Sequence, residues 1–431
     1  MRHSRTTLFR LIALGTATAA AFSLSACSSG GGDADTLTVW TRSDGEVYTK
    51  QLAEMYEKAN PGLTVDVTVL PNSDVQQKLG SAISSGNPPD VVAIDVVKAP
   101  YFINAGAFQD LTERIDGLDY ADDLLPAQVD AGTFEDKKYT SPFTADTSVL
   151  YYNKDLFRQA GLDPEAPPTT WQEFATAADS IGGLGDDITG YHYSAGCGGC
   201  AAFALAPMVW ASGGDFIDAD SGALNPDATF TDPVVTEFIE LLNGMVADGG
   251  ITTASQTDGG ENYGGAFENG KLGMVASGSF YLNTLQSSDL PFEMGVTPLP
   301  GKNAGEISSM VGGDVLAIPE GAKNGDAAWD FVKWATGDDA QKSLAESGFT
   351  PVRTDLYESD YSSKGPEQAA LVEAALQGQV PYTVSFNALF SDPNGPMVSL
   401  MQAGVFGDDV DAASAAAQKT AEQIVTQNAT E

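Results

Sequence analysis

Thr36-Leu37-Thr38-Val39-Trp40 reads as a strand, residues 47–60 place Tyr48, Leu52, Met55, Tyr56 and Ala59 at helical spacing, and Leu63, Val65, Val67 and Val69 alternate as a second strand. Asn60-Pro61-Gly62 stops the helix between them. Val75, Leu79, Ala82 and Ile83 mark another helix, after which Gly86-Asn87-Pro88-Pro89 leads into Asp90-Val91-Val92-Ala93-Ile94-Asp95. The order is strand, helix, strand, helix, strand. Helical crossovers between short β-branched runs predict a parallel sheet covered on both faces. In such an α/β sheet, ligands sit beyond the carboxyl ends of the strands.

Farther along the chain, Phe134 to Phe143 reads as a hairpin approach, and Thr147 to Phe157 as a strand running into a helix. Thr170 and Glu173 form a capping box for a helix burying Trp171, Phe174, Ala178 and Ile181. Asp232-Pro233 opens another helix, with Val235, Phe238, Leu242 and Met245 along one stripe. Residues 410–425 read as a final helix. Trp171, Trp329 and Trp334 lie on helical stripes and are assigned to core. Glycine pairs fall between elements without a fixed period, so no solenoid or propeller repeat is expected.

The chain has 431 residues, which exceeds one ordinary core and makes two lobes the default. Its formal net charge of −38 repels phosphate backbones, so nucleic acid is not an expected partner. Arg2, His3, Arg5 and Arg10 precede an apolar run at 11–22, too short to span a bilayer, and then Leu24-Ser25-Ala26-Cys27. This layout resembles a secretory signal ending in a bacterial lipobox. It implies a signal peptide at 1–26, lipidation of Cys27, a flexible tether at 27–35 rich in serine and glycine, and a place on the extracellular face of a cell membrane. Cys197 and Cys200 remain as an even pair, which in an exported chain reads as a disulfide. Flanking glycines suggest a stapled loop, and no strand entering a helix is evident before the pair. Redox activity and zinc stay as weaker alternatives, His192 being the one nearby imidazole.

Six segments in order resemble the extracellular sugar-binding proteins of ABC importers, the group that includes maltose-binding protein. They are Gly86 to Val92, Tyr101 to Leu111, Leu150 to Phe157, Ala266 to Met274, Gly312-Gly313-Asp314, and Phe331-Val332-Lys333-Trp334. The resemblance implies a two-lobed, type II periplasmic-binding-protein-like α/β fold with a hinge and an interlobe ligand cleft. By analogy, residues 36–144 and 310–348 form one lobe, and residues 145–309 and 349–431 the other. It further implies a monomer that closes on a small sugar, most readily an oligosaccharide, and delivers it to permease subunits, without a cofactor or metal.

A sugar offers hydroxyls at its rim and apolar C–H faces, so a site needs flat aromatic side chains ringed by carboxylates, amides and arginine. Strand-end positions supply Trp40, Arg42, Ser43 and Asp44, then Asp95 and Lys98, with Asn72 after the second strand. Trp40 and Asp95 fit core or hinge roles as well. Asp146 lies where the family chain first crosses between lobes, with no apolar stripe to serve. The second lobe offers Trp210, Ser279 and Phe280, where the family often has tryptophan. Gly312, Gly313 and Asp314 can bring backbone close to a hydroxyl, and Arg353, Phe386, Asn387 and Phe390 complete the set, with an interlobe salt bridge or packed loop as the alternative. A glycoside-degrading enzyme needs paired carboxylates. No nucleophile elbow accompanies the acid, and the histidines are His3 and His192. A polyamine carrier is the closer rival, because Asp44, Asp95 and Asp146 suit a cation; a surface adhesin is a third.

Overall fold

Residues 35–185, 187–261 and 263–428 are described by the computed structural model. The expected leader and Cys27 lie outside them. The strands that build the two sheets are, in chain order, β1 (Thr36–Arg42), β2 (Thr64–Leu70), β3 (Val91–Asp95), β4 (Ser141–Thr147), β5 (Val149–Asn153), β6 (Thr189–His192), β7 (Leu272–Ser277), β8 (Met294–Thr297) and β9 (Val311–Ala317).

The first sheet has five strands in the order β2-β1-β3-β9-β4. β1 runs parallel to β2 and β3, as the helical crossovers Glu46–Ala59 and Val75–Ser84 require. β9 is antiparallel to both β3 and β4, so the sheet is mixed and not wholly parallel. The reason is topological: β9 re-enters the lobe from the other one. Alternation along β3 sends Val91 and Ala93 to a core with Leu37, Val39 and Phe331, while Val92 and Ile94 join Leu70 and Leu79 on the opposite face. The second sheet, β8-β5-β7-β6, has four strands and is likewise covered twice, by Val149 and Tyr151 on one side and Leu150 and Tyr152 on the other.

The chain crosses between sheets at Ser148, which joins β4 to β5. Here the Met310 N–H donates to Ser148 Oγ at 2.9 Å and the Ser148 N–H to the Met310 carbonyl at 3.2 Å. Gln128 Nε2 donates to the carbonyls of Thr144 and Gly312 at 2.9 and 2.8 Å, so these adjacent crossing strands share one buried amide. β4 stays in the first sheet to Thr147, beyond the position 144 expected for the division. Residues 350–353 also hold to the first lobe, the Leu125 N–H donating to the Val352 carbonyl at 2.9 Å.

Local rules account for the ends of helices. Thr170 Oγ1 accepts from the Glu173 N–H at 3.1 Å, while the Glu173 carboxylate reaches back to the N–H of Thr169, one residue earlier than an ideal capping box. Asp232 accepts from the Val234 N–H ahead of helix Pro233–Asp248. The cysteine pair departs from the expected loop. β6 precedes it, Cys197 is the N-cap of helix Gly198–Trp210, and Cys197 is joined to Cys200 by a disulfide within the first turn. Gly198 and Gly199 lie in the first turn of the helix, and glycine is needed at 198 because a Cβ there would lie 2.3 Å from the Phe390 carbonyl oxygen.

Candidate functional site

The carboxyl end of β1 delivers Arg42 into the gap between the lobes. Its Nε donates to Asp314 Oδ1 at 2.6 Å, and its Nη1 lies 3.0 Å from Asp44 Oδ2 and 3.7 Å from Asp95 Oδ2. Asp314 is fully buried and also accepts from the Tyr48 hydroxyl at 2.5 Å. Burial works against the guanidinium charge, but Asp314 and Asp95 more than offset it and hold the Arg42 pKa well above its usual value. Burial likewise raises the Asp95 carboxyl, opposed by Arg42; with 27% of its side chain still exposed, water in the gap tempers that shift.

From the other side, Asp146 Oδ1 accepts from Ser279 Oγ at 3.0 Å and from the Phe280 N–H at 3.4 Å, at the start of helix Ser279–Ser287. Burial raises this carboxyl too, and the bonds from Ser279 and Phe280, with the Arg42 charge, pull against it. Gly278 is required beside it, since a Cβ there would stand 2.3 Å from Asp146 Oδ1. Phe280 is 46% exposed, a ring with one face free.

These groups border two adjoining chambers. One, of about 340 Å³, is walled by Arg42, Asp95, Val97, Asp146, Phe280, Gly312, Gly313 and Phe386, and on the far side by His192, Tyr193, Ser194, Cys200 and Phe203. The other, of about 390 Å³, is bounded by Arg42, Asp44, Tyr48, Asp146, Ser279, Phe280, Gly313 and Phe349. Arg42, Asp146, Phe280 and Gly313 belong to both. The cleft therefore lies past the carboxyl ends of β1, β3, β6 and β7, across the crossing strands. It offers hydrogen-bond acceptors, one fork of donors and aromatic faces, a set that complements a polar, ring-shaped guest.

Other predicted residues sit elsewhere. Ser43 and Asn72 share a hydrogen bond of 2.8 Å, and Asn72 in turn donates to Asp44, forming a rim beside Arg42. Lys98 Nζ reaches the Asn72 carbonyl at 3.4 Å behind that rim. Trp40 packs on the core face with Val92 and Ile94. Trp210 donates its indole N–H to Asp215 at 2.9 Å. Arg353 is 4% exposed, paired with Asp355 and Asp338 and stacked 3.9 Å over Tyr120. Asn387 is exposed outside both chambers, and Phe390 packs against Phe216 and Phe230. The sequence reading missed Tyr48, Tyr193, Ser194, Phe203 and Phe349. His192, no site candidate in the sequence, lines the cleft, and its ring is hydrogen-bonded at both nitrogens, to Asp258 and Ser255, at 2.8 Å each.

Two α/β lobes, linked by paired crossing strands and enclosing a polar, aromatic-sided cleft, define a binding protein that closes on its ligand. The chain belongs to the bacterial extracellular solute-binding protein family, whose model matches residues 40–342. It is 26% identical over 374 residues to the diacetylchitobiose binding protein DasA of Streptomyces coelicolor, covering 84% of this chain and 83% of that one. It is 27% identical over 344 residues to the sn-glycerol-3-phosphate-binding periplasmic protein UgpB of Salmonella typhimurium, covering 75% of each. Among solved structures, the cyclic alpha-maltosyl-1,6-maltose binding protein of Arthrobacter globiformis superposes with a TM-score of 0.76 at 27% identity, over 91% of this chain and 99% of that one.

Proposed function

We propose that this protein is the substrate-binding component of an ABC importer, which takes a neutral carbohydrate, most readily an oligosaccharide, into the interlobe cleft and presents it to permease subunits. The observation that carries this reading is the shared wall of the two chambers: Phe280 with a free ring face between the half-buried Asp146 and the Arg42 fork. A ring stacked on Phe280 places its hydroxyls against charged hydrogen-bond partners, each worth about 1.5–3 kcal/mol. A few such bonds reach the roughly −8 kcal/mol of a micromolar complex. Several family relatives carry sugars in their names, DasA among them. A glycerol phosphate, the cargo named for UgpB, fits less well, because Asp44, Asp95 and Asp146 outnumber the lone Arg42 in the walls. The same acid excess supports a second reading, a polyamine.

The protein acts by capture and not by turnover, and as a monomer. No described helix is long and apolar enough to cross a membrane. Attachment through a lipidated Cys27, after removal of residues 1–26, accounts for residence at the outer face of the membrane. A thermal-shift screen of mono- and oligosaccharides, spermidine and glycerol 3-phosphate tests the reading, because a ligand bound only by the native state raises the melting point. A rise with a neutral sugar and no product by chromatography is expected. A response to spermidine alone moves the assignment to polyamines, and sugar cleavage ends the carrier reading.

A further inference from the structure

The disulfide of helix Gly198–Trp210 faces the cleft. Cys197 Sγ accepts from the Cys200 N–H at 3.2 Å, and Cys200 is exposed. Cys200 borders the 340 Å³ chamber together with Gly199 and, one turn on, Phe203. Against the sulfurs runs a loop carrying Asp258 and Gly260. A Cβ on Gly260 would stand 3.2 Å from Cys200 Sγ and 3.7 Å from Cys197 Sγ, so this backbone packs directly on the disulfide. Asp258 in turn orients the polar part of the same wall. Its Oδ2 takes Ser194 Oγ at 2.7 Å and His192 Nε2 at 2.8 Å, and its carbonyl accepts the Gly196 N–H at 2.9 Å.

We propose that the Cys197–Cys200 disulfide is a wall of the ligand cleft, touching bound ligand, and that its redox state sets ligand affinity. This rests on the cleft being the ligand site. Intact, the disulfide offers a polarisable apolar surface to the C–H face of a guest and fixes the first helical turn against Gly260. A dithiol reductant opens it by exchange: a reductant thiolate attacks the exposed Cys200 Sγ, the S–S bond breaks, and Cys197 leaves as a thiolate that takes a proton. The second reductant thiol then displaces Cys200 and closes the reductant's own disulfide, leaving the protein with two electrons and two protons more. Two unbonded sulfurs need van der Waals separation. Gly260 packs against both sulfurs and Cys200 borders the chamber, so separating the sulfurs shifts the chamber lining at Cys200 or the Gly260 segment, and the support of Asp258, and through it of His192 and Ser194, is loosened.

The test compares the oxidised protein, the protein held in dithiothreitol, and C197S/C200S. Calorimetric titration uses the sugar found by the thermal-shift screen, and hydrogen exchange is followed without ligand at 192–196 and 257–260. We expect at least a fivefold weaker Kd in both altered forms, with cooperative melting retained and faster exchange in both segments. An unchanged Kd, or unchanged exchange at 192–196, overturns the proposal. If no sugar binds at all, faster exchange still upholds the disulfide's hold on the wall while the carbohydrate reading alone falls. Should C197S/C200S fail to fold, the rate at which dithiothreitol reduces the wild-type disulfide decides: saturating ligand should slow it at least tenfold, and an equal rate refutes contact.

Discussion

Arg42 Nε and Asp314 Oδ1 meet at 2.6 Å, joining the end of β1 to the middle of β9, residues 272 apart in sequence. Asp314 is wholly buried while Arg42 keeps 15% of its side chain exposed to the cleft. The pair therefore fixes the Arg42 guanidinium from beneath, at the edge of the cleft. Removing one partner of such a pair leaves an uncompensated charge, at a cost of about 3–5 kcal/mol. Asp95 and Asp44 still neutralise Arg42, so Asp314→Ala should lose about 3 kcal/mol in urea unfolding, and Asp314→Asn less, since the amide oxygen can still accept from Arg42. Loss of under about 0.5 kcal/mol in Asp314→Ala would falsify the supporting role.

Gly313 lies next to Asp314 in β9 with φ +98°, and a Cβ there would be 2.1 Å from the Thr144 carbonyl oxygen. Strain and collision act together at the crossing strands. Gly313→Ala should destabilise by about 3 kcal/mol or more in equilibrium unfolding, whereas the same change at Gly80, which has open space and ordinary φ inside helix Val75–Ser84, should stabilise slightly. Equal effects at the two sites would contradict the packing described.

The first lobe was legible because its first strands and helices carry strong local patterns: alternation at Leu63 to Val69, a β-branched run at Val91 to Ile94, and Asn60-Pro61-Gly62 between. β9 was not, for its identity as a strand depends on pairing with residues 92–95 and 141–147, which no local window contains. The same limit divides the candidate residues. Arg42, Asp44 and Asp95 follow strands whose carboxyl ends define the cleft, so position alone brings them there. Arg353 and Trp210 have the right chemistry, yet Tyr120 and Asp215 claim them through tertiary contacts invisible in sequence. Phe203 and Tyr193 were missed for the converse reason: apolar residues on a helix or beside a strand read as core, and that they also border the interlobe chamber follows from tertiary packing alone.

Phe280 borders both chambers and keeps nearly half its surface exposed. Truncation leaves the core untouched, so Phe280→Ala should keep its unfolding free energy within about 0.5 kcal/mol of the parent. The lost ring face should weaken sugar binding about tenfold, the equivalent of about 1.4 kcal/mol. Phe280→Trp should preserve the contact. Titration calorimetry on both variants measures this, and an undiminished affinity in Phe280→Ala would exclude stacking.

Asp179 carries a carboxyl raised to about 6 by burial and by the nearby Asp248, with the Gly250 N–H pulling the other way. Its unfolded value is about 3.9, so the folded state binds the proton more tightly between those limits. This contribution is fully present below about pH 4 and is lost as pH rises through about 6. Asp179→Asn should raise the melting point at pH 7.5 by about 1–2 °C, under about 1 kcal/mol because the group is only partly buried and solvent screens it, with the difference vanishing near pH 4. A melting-point gain that persists at pH 4 would point to some cause other than ionisation.

Asp146 and Gly278 together offer the most selective test of the cleft. Asp146 is held by Ser279 and by the Phe280 N–H at a helix start and borders both chambers, which puts an oriented acceptor within the cleft wall. Asp146→Ala should weaken sugar binding at least tenfold while the unliganded melting point stays nearly constant, because removing a desolvated carboxylate offsets the bonds lost to Ser279 and Phe280. Gly278→Ala approaches the same group from outside. Its φ of −78° imposes no backbone strain, but the new methyl would fall 2.3 Å from Asp146 Oδ1 and must push the carboxylate aside. It should therefore reproduce the affinity loss of Asp146→Ala, and the double variant should bind no worse than either single one, since both remove one contact. Additive losses in that cycle would mean that Gly278 acts on the ligand directly and that Asp146 is not its intermediary.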